Sequence, residues 1–200
     1  MPQFDLRHIY CAKYVNTDGV ITYTDAQQVG DAMTANIELR YAEGRLYAES
    51  TLAEYIRKAV GGTISLGVKY IKDGAQKLLF GKRENSRSIT YTPAGSTTPT
   101  TASVTGLTLG GRDEGVYVGV AFYAPDMVDG VRKYTCVLAR KCLFGPPGMS
   151  LQTAGENITF NTPTTSGEFL ADDSETQELL EWATVDDEAA AIAWVTAVLA

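Results

Sequence analysis

The stretch "GVYVGVAFYAPDMVDGVRKYTCVLARKCLF", residues 115–144, constrains the fold more than any other part of the chain. Val116, Val118, Val120 and Phe122 alternate with Tyr117, Gly119, Ala121 and Tyr123, which is the two-residue period of a strand. Neither set is polar, so the strand must be covered on both faces. Asp129-Gly130 then supplies hairpin chemistry, and a return strand runs from Val131 to about Phe144. Cys136 and Cys142 differ by an even number and face the same side of an unbroken strand, too far apart along it for a disulfide.

Upstream, residues 6–15 are rich in tyrosine and β-branched residues, "NTDG" offers turn chemistry, and "VITYT" resumes the strand pattern, a hairpin signal. Met33 to Tyr41 alternates as a third strand. "EGRLYAESTLAEY" has no strict period and reads as a loop. In the strand "IRKAVGGTISLGVKYI" the glycines Gly61, Gly62 and Gly67 mark a bulge or a close backbone approach. Asp73 and Gly81 bracket a helix of about two turns as N-cap and C-cap. "SRSITYTP" is again strand, and the Ser/Thr/Pro-rich residues 92–111 read as a long mobile loop, because they hold too little apolar surface to offset the entropy of ordering. "ENITFNTPT" supplies one more strand.

From Ser174 the period changes to near 3.6. Leu179, Leu180 and Trp182, then Ile192, Val195, Val198 and Leu199, predict two helical segments, the second capped by Thr184 with Asp186, Asp187 and Glu188 in its first turn. The charge is distributed unevenly. Seventeen basic and 24 acidic residues give −7, but the part before Leu151 carries 17 − 14 = +3 and the part from Leu151 carries 0 − 10 = −10. A surface this acidic repels duplex DNA, so binding of DNA by attraction to a phosphate-neutralising patch is not expected.

The three cysteines, Cys11, Cys136 and Cys142, form no CxxC pair and read as buried thiols of a protein made in a reducing cytoplasm. The N-terminus has no secretory pattern, and the apolar run Ala189 to Ala200 is too short for a membrane span. His8, the single histidine, has no recognisable nucleophile or acid partner, and a structural or surface role is expected. The glycine-rich stretches lack the lysine of a phosphate loop, and the acidic pairs lack calcium-loop spacing. The reading is therefore a non-enzyme with no metal and no cofactor.

Taken in order, several segments resemble the major tail protein, or tail tube protein, of long non-contractile-tailed (siphovirus-type) bacteriophages. They are "MTANIELRY" followed by "LYAEST", the glycine-punctuated "GGTISLGV", "EGVYVGVAFYA" with "GVRKYTCVLARKCLFGPP", then "ENITFNTPTTSGEF" and the terminal "AIAWV". They span nearly the whole chain; each is degenerate, and their order and spacing carry the resemblance.

That resemblance implies a mainly β protein: an antiparallel β-sandwich or compact barrel with a short flanking helix and a helical C-terminal tail, related in shape to the type VI secretion tube. Residues 1–173 would form the tube domain and 174–200 an acidic helical extension. It implies self-assembly into stacked, hexameric rings through which DNA passes without sequence-specific binding. Further implied partners are tape-measure, tail terminator and tail-tip proteins, and the implied place is the virion tail, assembled in the host bacterial cytoplasm. The inter-ring loop maps to about Tyr41 to Ala53, with Tyr41, Glu43, Arg45, Tyr47, Glu49 and Ser50 as its contact residues. Residues 1–6 and 92–111 are further contact segments. Glu156, Glu168, Asp172, Asp173 and Glu175 are candidates for an acidic lumen or for a solvated outer face. The rival readings are a tail terminator or another virion β domain, and a carbohydrate-binding β-sandwich that uses the tyrosines.

Overall fold

The computed structural model describes residues 5–48, 51–128, 130–149, 153 and 162–200. The elements are β1 (Arg7–Thr17), β2 (Val20–Gly30), β3 (Ala32–Ala48), β4 (Thr51–Val68), α1 (Asp73–Phe80), β5 (Arg83–Tyr91), β6 (Thr100–Thr108), β7 (Val118–Val128), β8 (Val131–Phe144), β9 (Thr164–Leu170), β10 (Leu180–Val185) and α2 (Glu188–Ala197). All pairings are antiparallel. The main sheet runs β2-β1-β7-β8-β9-β4-β3, with β10 also on β8, while β5 and β6 form a separate two-stranded sheet. Among the described residues no helix is long and apolar enough to cross a membrane.

The chain is mainly β because its apolar residues alternate. On β7, Val118, Val120 and Phe122 join Ile9, Val29, Ile64, Leu66 and Phe169 in one buried cluster that α1 closes with Leu79 and Phe80. Residues from both halves of the sheet meet in this cluster, as in a β-sandwich. Ala121 and Tyr123 point the other way and meet Tyr134, Leu138, Ala191 and Val195 of α2, and Leu199 just beyond it. β7 is thus covered on both faces, as its alternation requires. The first hairpin turns at Asp18-Gly19, whose φ values of 52° and 85° suit a tight primed turn.

The two cysteines of β8 depart from expectation. Cys136 belongs to the α2 cluster and Cys142 to the opposite one. Between the pairs Val120↔Ala139 and Val118↔Cys142 the register slips by one residue, a bulge that inverts the facing of every later side chain. The strand is long but not regular, so the even spacing does not put both thiols on one side. All three cysteines are free and buried.

Further corrections follow the same logic of tertiary context. Residues 41–48 and 51–53, expected as a loop, instead continue β3 and β4 as paired strands of a projecting hairpin. Residues 100–108 of the expected mobile loop form β6, paired with β5 along its full length; threonine and valine supply the strand preference that the scarcity of large apolar residues concealed. The first predicted tail helix is instead β10, which occupies an otherwise open stretch of β8. The second is α2, but its cap is Asp187, whose Oδ1 accepts from the Ala189 N–H at 2.8 Å, rather than Thr184. In α1, Asp73 is the first helical residue, Lys72 stands at the N-cap without a side-chain bond, and Gly81 ends the helix at φ 66° as expected. The predicted strand "ENITFNTPT" lies mostly outside the described residues, and β9, the neighbouring "TTSGEFL", was not anticipated.

The glycines of β4 behave as the sequence suggests. The register slips between Arg40↔Gly61 and Tyr41↔Ala59, and Gly61 has φ 139°. A Cβ on Gly62 would lie 2.0 Å from the Glu38 carbonyl oxygen and 2.6 Å from the Phe169 ring. Gly62→Val is therefore expected to overpack a rigid backbone contact and lower the melting temperature by about 3–10 °C. Gly44→Ala, with nothing within 4 Å, should leave it unchanged in the same thermal scan.

Candidate assembly surface

Beyond Gly61 the β3–β4 hairpin leaves the body of the protein. No described side chain from Tyr41 to Val60 is buried. Six large apolar residues lie in the open: Tyr41, Leu46, Tyr47, Tyr55, Ile56 and Val60, with exposures from 40% to 67%. Eight residues of extended strand reach about 27 Å. One face of this arm is a polar–aromatic ladder. The Arg57 guanidinium lies 3.8 Å from the Tyr41 ring centre, Arg45 lies 5.6 Å from that of Tyr55, and Glu43 pairs with both arginines at 3.4 Å. The other face carries Ile56 and Leu46 beside Lys58 and Glu54, since Ile56 pairs with Gly44 and Leu46 with Glu54. Arginines stack on Tyr41 and Tyr55, while among the described residues Leu46 and Ile56 stand 58% and 67% exposed.

A second arm is made by β5 and β6, in which no residue is buried. Its two faces differ by strand alternation. Arg83, Arg87, Ile89 and Tyr91 share one face with Val104, while Ser86, Ser88 and Thr90 oppose Thr105, Ser103 and Thr101 on the other. Hydroxyls bond across that second face, Thr90 to Thr101 at 2.9 Å and Ser86 to Thr105 at 3.3 Å. At its root Arg83 pairs with Asp113 at 3.1 Å, and Lys77 of α1 pairs with Glu84. A two-stranded ribbon exposed on both faces is marginal in water and gains stability from a partner.

The acidic surplus after Leu151 turns back onto the basic first part of the chain. Arg140 on β8 meets three carboxylates: Glu181 at 2.6 Å, Glu178, and Asp172 at 3.9 Å. Asp173 pairs with Lys141, Asp186 with Lys133, Glu188 with Arg7 and Glu168 with Arg40. Asp172 is buried, its Oδ1 accepting from the backbone N–H groups of Ser174 and Glu178 and from the Ser174 hydroxyl. These contacts fasten β10 and α2 across the sheet.

Two of these carboxylates titrate low. Hydrogen bonds from Lys141 and Tyr14 hold Asp173 below the usual aspartate range, and hydrogen bonds from Tyr123 and Arg7 do the same for Glu188. A depressed folded-state pKa contributes stability that is present above the unfolded value and is lost as the pH falls through the folded one. The melting temperature should therefore fall on acidification below about pH 4.5. The double variant Asp173→Asn, Glu188→Gln should start lower at neutral pH and show a shallower acid slope.

The sequence-derived candidates divide accordingly. Tyr41, Glu43, Arg45 and Tyr47 all lie on the projecting arm; Glu49 and Ser50 fall outside the described residues. Asp172 is buried and ion-paired, so it lines neither a lumen nor an outer face, which corrects its candidacy. Asp173 and Glu175 are exposed, Glu168 is exposed beside Arg40, and Glu156 lies outside the described residues. Of the further contact segments, residues 1–4 also lie outside them. Sequence reasoning did not single out Tyr55, Ile56 and Val60 on the β4 side of the arm, which are exposed with no core to face, and it missed Arg140.

His8 stacks between the rings of Tyr10 and Tyr123, at 6.3 and 5.4 Å. Burial pushes the Cys11 thiol up to about 12 and the Cys136 thiol to about 11, and Cys142 higher still, so these groups are protonated and inert at neutral pH. What the geometry defines is an antiparallel β fold with two hairpin arms in which no described residue outward of Gly61 or along β5–β6 is buried. No protein-family model matches the chain, and no curated protein shows significant similarity to it.

Proposed function

We propose that this protein is a structural subunit that assembles with copies of itself into stacked rings forming a tube of the phage tail type, with the virion tail as its place and DNA as passing cargo. The observation that carries this reading is the β3–β4 arm: about 27 Å of hairpin bearing six exposed large apolar side chains and contributing nothing to the core. An element of that length and composition is built to lie on another molecule. The second arm and the free edges of β2 and β3 add surfaces that closed assembly would satisfy. The net charge of −7 suits a conduit that must not retain phosphate. Hexameric rings, and tape-measure, terminator and tail-tip partners, belong to this proposal through the resemblance alone.

Negative-stain electron microscopy of the concentrated protein, beside its sedimentation profile, tests the reading. Long hollow tubes or stacked rings are expected. A stable small ring that never stacks would replace the tube subunit with a terminator, and saturable glycan binding by a monomer would replace it with a carbohydrate-binding module.

A further inference from the structure

The main sheet splits beside β8. One edge of β8 serves two strands, pairing with β9 along Lys141–Phe144 and with β10 along Tyr134–Ala139. β9 in turn holds β4 only along Gly62–Gly67. From Gly61 outward β4 pairs with β3 alone, and β10 pairs with β8 alone. Among the described residues, two strand edges therefore diverge from one junction, each with a row of backbone N–H and C=O groups that no other described strand meets.

Edges of this kind are normally blunted by bulges, inward charges or a covering segment. Here they carry apolar side chains instead. Trp182, at the middle of β10 opposite Val137, is 60% exposed, and Ile56 on the β4 edge is 67% exposed. Their charges are opposite in sign. Around β10, Asp186 pairs with Lys133 and Glu188 with Arg7, but Glu178, Glu181 and Asp172 share the single guanidinium of Arg140, which leaves an excess of acid. On the arm, Arg57 shares Glu43 with Arg45, and Lys58 stands against Glu54, which leaves a small excess of base at the β4 edge. A contact between the β4 edge of one molecule and the β10 edge of another is heterologous: each copy retains one free edge of each kind, so addition continues from copy to copy.

We propose that the outer edge of β10 is a strand-addition site that takes the β4 side of the β3–β4 arm of a second copy of this chain. The inference rests on the self-assembly reading above and names its acceptor surface. An added strand lies about 4.8 Å from β10, and its side chains would cover Trp182. Backbone bonds supply the affinity, and the basic arm against the acidic flank selects arm over other edges. The acids that remain exposed around β10 thereby acquire a role as the docking face for a basic strand.

Because the native thiols are buried, a surface cysteine is the only reactive one, and disulfide trapping is clean. Protein carrying Thr184→Cys on β10 is mixed with protein carrying Tyr55→Cys, Ile56→Cys or Lys58→Cys on β4, which together sample both faces of the arm. The expected result is conversion of monomer to a mixed disulfide heterodimer with at least one arm position. It should not form when Asp18→Cys, on the distant β1–β2 turn, replaces Thr184→Cys. In a Trp194→Phe background, the emission of Trp182 should shift to the blue as the protein assembles. Tubes that form with no heterodimer and an unshifted Trp182 would overturn the site while leaving the tube reading standing. A heterodimer without tubes would keep the strand-addition site and remove the tube; protein that stays monomeric and uncrosslinked at every concentration would overturn both.

Discussion

Replacing residues 42–58 with Asn-Gly is expected to leave a folded monomer that forms no tubes at any concentration. The cut retains the Tyr41↔Ala59 pair and closes it with a two-residue primed turn. No described side chain between Tyr41 and Val60 is buried, so the core loses no apolar contact. The melting temperature should therefore move by less than about 4 °C, corresponding to about 1 kcal/mol or less. Assembly, by contrast, would lose the uncovered apolar surface on which it depends. Tubes of ordinary length from the shortened protein, seen by electron microscopy, would remove the arm from the assembly. A failure to fold would show that the arm belongs to the structural body.

The second large effect is on stability. Arg140→Met removes the one cation that faces buried Asp172, together with the partner of Glu178 and Glu181. Leaving a buried carboxylate unpaired costs about 3–5 kcal/mol. For a chain of this size that corresponds to a melting temperature about 6–20 °C lower. Asp172→Asn in the same background should recover part of the loss, because an amide oxygen still accepts from the Ser174 and Glu178 N–H groups without carrying charge. Glu178→Gln alone should cost about 1 kcal/mol or less, since its side chain is 43% exposed and water screens the pair. A double variant no more stable than Arg140→Met would show that packing of the arginine stem, rather than its charge, holds the tail.

The two results bear on the one-sided charge of the chain. Seven of the ten acids after Leu151 pair with basic residues that precede it. Asp187 caps α2. The described part of the segment without a lysine or arginine folds as two strands, β9 and β10, and the helix α2, which lie on basic residues supplied by β1, β3 and β8. Its negative charge is in large part structural, and three carboxylates on a single guanidinium leave a residual acidic face next to β10.

What could be read from the residues was whatever is decided within one or two strands. Period-two alternation and Asp-Gly turn chemistry located the hairpins β1–β2 and β7–β8, with β8 at Val131–Phe144, because these signals act between neighbours in the chain. The glycines of β4 and the αL residue Gly81 were equally legible, since backbone sterics are local. Tertiary structure decided the rest. Leu179, Leu180 and Trp182 have helical spacing, yet six residues gain more from an open stretch of β8 than from a helix too short to sustain itself. The facing of Cys142 depends on a one-residue slip against β7, which no pattern within β8 reveals. Parts of β3, β4 and β5 were legible as strands, but the outer stretch of the β3–β4 arm and β6 carry strand sequences without a core to oppose them, so composition alone could not distinguish those from loops. Likewise, Arg140 became a site only because the fold brought to it three carboxylates from more than 30 residues further along the chain.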